Sequence, residues 1–348
     1  MLTRLLIFGL TLAASTACAC TIPVFRYALD RWEADKFHLV LPPSVSQDAA
    51  ISDLLRPLRA NGQANLDITT APEAASATLK HSRASDRNVW SGPLNAQSLG
   101  VLLDSPARQQ LLKQILAGDS VVWVIAEGGT DADKTEADRI EKRLRFLEQV
   151  AALPVQNPND PDSQLGPGPP LLLKFTALRL RRDDPAEQPL IQMLAGPQGK
   201  VDPATTSFAA AVFGRGRVLG AWPLADLDDA SLEDACMFLV GRCSCRMKNE
   251  NPGWDILMNV DWEKALAAVK RSGETDIAPR KQPNAALAVP VTVSTTGPIA
   301  PSPGSKDINV WIPLSLDDTY FVGFDRRILA GLAAAILGLA SLFLLRKN

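Results

Sequence analysis

Residues 120–126 read SVVWVIA, a β-branched and aromatic run opened by Ser120 and closed by Glu127-Gly128-Gly129. An apolar run without polar alternation has the character of a strand buried on both faces. It therefore predicts a strand with cover on each side. Downstream, residues 135–152 place Ile140, Leu144, Leu147 and Ala151 on one helical face. Acidic residues sit at the start of that stretch and Arg139, Lys142, Arg143 and Arg145 further on, the order that the helix dipole favours. Residues 154–170, rich in Pro, Asn, Asp and Gly, predict a loop, and residues 171–180 resume as a strand. FAAAVF (208–213), Gly214-Arg215-Gly216 and RVLGAW (217–222) read as a β-hairpin. Residues 228–240 predict a helix with Leu232, Cys236 and Leu239 inward, and Trp262, Leu266 and Val269 mark one more short helix.

Upstream, residues 20–36 form a polar-aromatic lead segment. FHLVL (37–41) predicts a strand stopped by Pro42-Pro43. Residues 48–58 carry the helical stripe Ile51, Leu54, Leu55, Leu58, with Pro57 weakening its end and Asn61-Gly62 stopping it. Residues 65–70 alternate like a strand, and Val89-Trp90 predicts an edge strand before the turn at Gly92-Pro93. Asn95 is placed to cap a helix carrying Leu99, Leu102 and Leu103, and a further helical run covers residues 106–116.

One order of elements thus occurs twice. Residues 37–117 read strand, helix, strand, weak strand, helix, and residues 120–247 read strand, helix, strand, hairpin pair, helix. A βαβ unit followed by ββα resembles the thioredoxin-like fold. The resemblance implies an α/β class with two tandem modules, residues 37–117 and 118–278. In thioredoxin-like redox proteins a C-x-x-C pair follows the first core strand, at a helix N-terminus that lowers the thiol pKa. The matching positions here read LPPSVSQDAA (41–50) and AEGGTDADKT (126–135), without cysteine. The resemblance therefore implies a scaffold or binding use.

Both ends read as targeting segments. Arg4, the apolar residues 5–14 and Ala17-Cys18-Ala19 form an export signal over residues 1–19, with cleavage before Cys20. Lipidation at Cys20 or Cys18 is the competing reading, against Ala17 and Ser15 where an aliphatic residue is usual. Residues 328–345 (ILAGLAAAILGLASLFLL) carry no charge and span roughly 27 Å as a helix, close to a bilayer core of about 30 Å. Arg326 and Arg327 before this span balance Arg346 and Lys347 after it, so orientation rests on the signal. The expected layout is a head on the periplasmic side, a Pro-rich linker (279–306), a juxtamembrane segment (307–327), one transmembrane helix and a cytoplasmic tail (346–348). The segment from Cys20 to Trp32 (CTIPVFRYALDRW) and Asn251-Pro-Gly-Trp-Asp255 also resemble exported, membrane-anchored bacterial proteins of planctomycete–verrucomicrobial type. That resemblance implies a location and no activity.

The 348 residues allow one large or two ordinary domains, and the formal net charge of −2 implies no polyanion partner. No basic patch interleaved with aromatics is present, which argues against nucleic-acid binding. His38 and His81 are the two histidines, expected at the surface or a strand edge, and no cofactor is implied. Neither G-x-S-x-G nor H-E-x-x-H occurs.

The sharpest chemical candidate is Cys243-Ser244-Cys245. A C-x-C disulfide closes a strained, oxidising ring, and Arg242, Arg246 and Lys248 would stabilise a thiolate. The alternative is a structural staple among Cys20, Cys236, Cys243 and Cys245; a metal site from the last three lacks C-x-x-C spacing. Gly214 to Gly220 lacks the spacing and following helix of a phosphate loop, so a hairpin turn explains its glycines. Glu127, Asp131, Asp133 and Glu136 lack the glycine and closing glutamate of a calcium loop, and helix capping explains them better. Trp254, in Asn251-Pro-Gly-Trp-Asp255, is a candidate partner contact or a plug over the core. The reading that follows is a non-enzymatic, bilayer-anchored binding or scaffold component of an envelope complex, with an unidentified envelope protein as partner. An envelope thiol-disulfide oxidoreductase using Cys243 and Cys245 is the alternative.

Overall fold

The computed structural model describes residues 21–81, 87–156, 159–243 and 248–273, all within the compact unit Met1–Lys281. Cys18, Cys20, Cys245, the export signal, the linker and the apolar C-terminal stretch lie outside the described residues. Among the described residues no helix is long and apolar enough to cross a membrane.

The lead segment holds an element that its polar composition hid, helix α1 (Val24–Arg31), which buries Val24, Phe25, Ala28, Leu29 and the whole of Arg26. The first sheet comprises β1 (Phe37–Leu41), β2 (Leu66–Thr70), β3 (Ala77–Lys80) and β4 (Asn88–Gly92), in the order β2-β1-β3-β4. β1 runs parallel to β2 and antiparallel to β3, which pairs antiparallel with β4. β3 was not foreseen: at four residues it is too short to show a period. Between β1 and β2 the chain forms α2 (Pro43–Ser46) and α3 (Ala49–Asn61). Asp48 caps α3 by accepting from the Ile51 N–H at 3.1 Å. The helix runs through Pro57 to end at Gly62, whose φ of 57° suits glycine.

Two helices bridge to the second sheet. α4 (Ala96–Leu103) opens with a capping box between Asn95 and Ser98, and α5 (Pro106–Leu116) opens with Ser105 and a proline at its first position. The second sheet follows as β5 (Val121–Glu127), α6 (Asp131–Val150), β6 (Phe175–Arg181), α7 (Gln188–Ala195), β7 (Phe208–Phe213), β8 (Arg217–Pro223), α8 (Asp229–Val240), β9 (Trp254–Asp255) and α9 (Trp262–Gly273). Its order is β6-β5-β7-β8-β9, with β5 parallel to β6 and the other neighbours antiparallel. α6 starts four residues before the position read from its stripe, because Thr130 and Asp133 form a capping box there. α7 went unseen because Pro189-Leu190-Ile191 and Met193-Leu194-Ala195 are all buried, which leaves no polar face to mark a period. In the β7–β8 hairpin, Gly214 (φ 58°) also lies against α1, where a Cβ would come within 2.8 Å of the Ala28 Cβ.

β5 organises both cores. Val121, Trp123 and Ile125 point into a cluster with Phe25 and Ala28 of α1, Ile140 and Leu144 of α6, and Leu232 and Leu239 of α8. Val122, Val124 and Ala126 point the other way, toward Leu111 and Ile115 of α5, Leu190 and Leu194 of α7, and Phe37, Leu39 and Leu79 of the first sheet. β7 divides in the same manner, with Ala209, Ala211 and Phe213 on one side and Phe208, Ala210 and Val212 on the other. α7 touches both β4 and β7 and so joins the sheets. In the first sheet Phe37, Leu39 and Leu41 are buried, while His38 and Val40 between them are half-buried.

Trp123→Ala empties one core and should cost about 3–5 kcal/mol; Leu111→Ala opens the other and should cost about 2–5 kcal/mol. Because β5 serves both, each variant is expected to unfold in one transition, with urea curves from tryptophan fluorescence and far-UV circular dichroism superimposing.

Candidate functional site

The end of β5 and the start of α6 form a closed polar cluster. Thr130 caps the helix, and Asp133 Oδ2 accepts from the backbone N–H of Gly128 (2.9 Å) and of Thr130 (3.4 Å) and from the Ser207 hydroxyl (3.0 Å). Ser207 Oγ in turn accepts from the Gly128 N–H at 2.9 Å. A Cβ at Gly128 would meet Arg182 Nη2, Asp133 Oδ2 and Ser207 Oγ, each at 3.1 Å, so the cluster closes over a position without a side chain. Burial pushes the Asp133 carboxyl up, but hydrogen bonds from Ser207, Thr130 and Gly128 outweigh it and hold the carboxyl below its ordinary range.

Two neighbouring acids, Glu127 and Glu136, are also engaged. Both oxygens of Glu127 take the Arg179 guanidinium, which also reaches Asp138 at 2.6 Å, and Glu136 accepts from Arg139 at 2.8 Å. The hydrogen bonds to Glu127 raise the Arg179 pKa. Among the described residues no group of three or more His, Cys, Asp or Glu is placed to hold a metal ion.

The cysteines stand apart from that cluster. Cys236 of α8 is a free, fully buried thiol in the core that holds Trp123. Burial pushes it up to about 12, against a smaller opposing effect of the Trp123 indole. Cys243 is also buried, just beyond α8. There the backbone is sewn to the start of the chain: the Cys243 N–H donates to Ile22 O at 3.0 Å, the Val24 N–H to Gly241 O at 3.1 Å, and Pro23 bridges Arg242. Arg242 is exposed, and Cys245 and Arg246 lie outside the described residues. Lys248, read as a thiolate partner, instead donates to Asp35 Oδ1 at 2.8 Å, to Asp255 Oδ2 and to the Glu33 carbonyl.

Lys248 belongs to a network that the sequence did not announce. Arg217 and Asp255 are almost fully buried and pair at 3.3 Å. The Arg217 guanidinium also donates to the carbonyls of Asn251 (3.0 Å) and Gly253 (3.3 Å) and lies 5.5 Å from the Trp32 ring centroid. The Asp35 N–H donates to Asp255 Oδ2 at 2.6 Å. A shallow surface crevice opens here, lined by Trp32, Arg215, Arg217, Lys248 and Asp255 among others. Its donors already hold protein oxygens: Arg215 donates to Leu29 O at 2.8 Å and to Glu263 at 3.1 Å. One signal was present in the sequence, an arginine opening the second strand of a hairpin directly after Gly216.

Trp254 is half-buried over the larger core. Its indole N–H donates to Met193 O at 2.8 Å, and its ring fills the space where a Cβ at Gly196 would come within 2.5 Å. His81, expected at the surface or a strand edge, is 5 % exposed and packs 5.2 Å from the Phe37 ring. Burial, and then the charge of Arg87, push its pKa down to about 4. It stands just beyond β3, the strand that its sequence concealed.

No family model, curated protein or solved structure matches the chain.

Two outcomes follow from these geometries. Asp255→Asn leaves Arg217 and Lys248 without their shared carboxylate and should cost about 3–5 kcal/mol in denaturant unfolding. His81 gives a pH dependence whose sign is fixed. The unfolded chain takes up a proton near pH 6.5 and the folded chain resists it until about pH 4. Stability is therefore full above pH 6.5 and falls as pH drops toward 4, by up to about 3 kcal/mol. Urea midpoints across that range should lose this share of their slope in His81→Phe.

Proposed function

We propose that this chain is a membrane-anchored, extracytoplasmic α/β protein that acts without chemistry of its own, as a binding or scaffold component of an envelope complex. On this reading residues 1–19 export the chain, residues 328–345 anchor it, and residues 279–306 hold the head away from the bilayer on the periplasmic side. The head consists of two tandem thioredoxin-like modules, residues 37–117 and 118–278. Element order supports this. In each sheet a parallel βαβ pair is followed by an antiparallel pair laid beside its first strand, and then by a helix.

The observation that carries the non-enzymatic reading is the mouth of α6. A thioredoxin-like redox protein keeps its reactive thiol pair at this place, where the helix N-terminus stabilises a thiolate. Here Asp133 occupies that position, and the N–H groups of Gly128 and Thr130 that would stabilise an incoming anion already point at its carboxylate. The matching point of the first sheet carries Pro42-Pro43 and the Asp48 cap. Lys248, one of the cations read as a thiolate partner for Cys243-Ser244-Cys245, is committed to Asp35 and Asp255.

Affinity purification of the full chain from detergent-solubilised envelopes tests the proposal. A reproducible set of envelope proteins is expected, retained undiminished by the double variant Cys243→Ser/Cys245→Ser. Trapping of mixed disulfides with client proteins at Cys243 or Cys245, lost in that variant together with the partners, would establish the oxidoreductase reading instead.

A further inference from the structure

The second sheet ends on β6, a strand with a neighbour on one side only. Lys174 O accepts from the Ser120 N–H at 2.8 Å, and the Arg182 N–H donates to Glu127 O at 2.8 Å. The even-numbered residues of β6 therefore turn their backbone groups toward β5, and Phe175, Ala177, Arg179 and Arg181 turn theirs outward. Two of the outward groups are used within the chain. The Phe175 N–H donates to Glu148 Oε1 at 2.6 Å, and Arg181 O accepts from the Asp184 N–H at 3.1 Å. Among the described residues nothing pairs with the others: Phe175 O, the N–H and carbonyl of Ala177 and of Arg179, and the Arg181 N–H. We propose that this edge pairs with the same edge of a second copy of the chain, antiparallel about a two-fold axis at Leu178, and so joins two five-stranded sheets into one.

The open groups select that occupant because they are their own complement, as a two-fold interface requires. With Leu178 opposite Leu178, Ala177 faces Arg179 of the second copy and Phe175 faces its Arg181. Outward-facing residues opposed in this way exchange both of their backbone hydrogen bonds. Ala177 and Arg179 have donor and acceptor to offer. Phe175 and Arg181 have one bond left, from the Arg181 N–H to Phe175 O. The two groups spent inside the chain, the Phe175 N–H and Arg181 O, are the ones that this register would have paired with each other. The N–H groups of 177, 179 and 181 thus meet the carbonyls of 179, 177 and 175, with none left over. Charge fixes the register. A shift one way sets Arg179 against Arg179, like charges directly opposite, and a shift the other way leaves the Arg181 N–H unpaired.

The strand also lacks the guards that keep edges apart. Open edges are blunted by proline, lysine, bulges or short length. FTALRLR (175–181) holds no proline and no lysine, and its register with β5 is unbroken over seven residues. The opposite edge of the same sheet, β9, is two residues long, and β2, an edge of the first sheet, has five residues that end in exposed Thr69 and Thr70. The arginines of β6 are folded back onto their own chain, Arg179 onto Glu127 and Asp138 and Arg181 onto Asp183. Leu178 and Leu180 lie half-buried against the larger core. Across the axis Leu178 meets its copy and Leu180 meets Thr176, which covers the surface that both leucines leave open.

Disulfide crosslinking of the full chain in detergent micelles tests this pairing. The two Leu178 residues form a non-hydrogen-bonded pair with Cα atoms about 4.5 Å apart, within reach of a disulfide. Leu178→Cys is expected to give a covalent dimer on mild oxidation, which the unsubstituted chain does not give. Thr176→Cys should give none alone and should crosslink when co-expressed with Leu180→Cys. Ala177→Pro removes only an outward N–H and leaves the β5 ladder intact. It should weaken dimerisation about tenfold or more by light scattering, since each copy loses a ladder hydrogen bond, with the circular dichroism spectrum unchanged. Leu178→Lys sets two cations face to face and gives a second disruption should Ala177→Pro fail to fold. Equal crosslinking of Thr176→Cys and Leu178→Cys overturns the proposal, as does a chain that is monomeric at every concentration. So does a dimer that survives both disrupting variants, which would belong to the apolar C-terminal stretch or to another face. Crosslinking of Leu178→Cys to a different envelope protein in place of its own copy would likewise assign the edge to that protein and overturn the pairing.

Discussion

Every layer of the described fold depends on one strand that has no solvent face. Val121 to Ala126 are fully buried, and their alternation sends successive side chains into two different cores. A strand in that position must be covered on both sides, so the chain needs helices on both faces of the second sheet. α1, α6 and α8 supply one cover, and α5, α7 and the first sheet supply the other. The lead segment is thus a structural part of the second sheet's outer layer, although the whole first sheet separates it from β5 in sequence.

A second regularity is the use made of buried arginines. Arg26, Arg108 and Arg217 are each about 2 % exposed, and each guanidinium collects backbone carbonyls that no regular element satisfies. Arg108 holds Leu102 O at 2.6 Å and Val101 O at 2.9 Å at the end of α4, while Glu187 accepts from the Ala107 N–H at 2.9 Å at the start of α5. Burial lowers the Arg108 pKa to about 10, and the charges of Glu187 and Asp104 oppose that shift. Arg26 binds the carbonyls of Gly166 and Pro169, and Arg217 binds the segment before β9. Fork-shaped donors suit this task because one side chain reaches several oxygens at once. These buried charges are committed to joining segments of the chain.

The parts of the fold legible in the sequence were those whose burial is one-sided or complete over a long run. The stripe Ile140, Leu144, Leu147, the cap at Asn95, the hairpin around Gly214 and the strand at β5 each carry a local signal. What stayed hidden was decided by distant partners. α1 reads as polar because Arg26 and Asp30 neutralise each other inside it. α7 reads as featureless because both of its sides are buried. Of the candidate site, the capping role of Asp133 was legible from its place after a strand. The pairing of Arg217, Lys248 and Asp255 was not, because it joins residues 217, 248 and 255 to Trp32 and Asp35 across most of the chain.

The central claim, that β5 holds both sheets as one cooperative unit, is tested most directly by native-state hydrogen exchange along the chain in increasing denaturant. Amides of β5, β1 and β7 should exchange through global unfolding alone, with one free energy equal to that from equilibrium denaturation. Exchange of β1 at a markedly lower free energy than β5 would show that the first sheet opens independently, and would contradict the account.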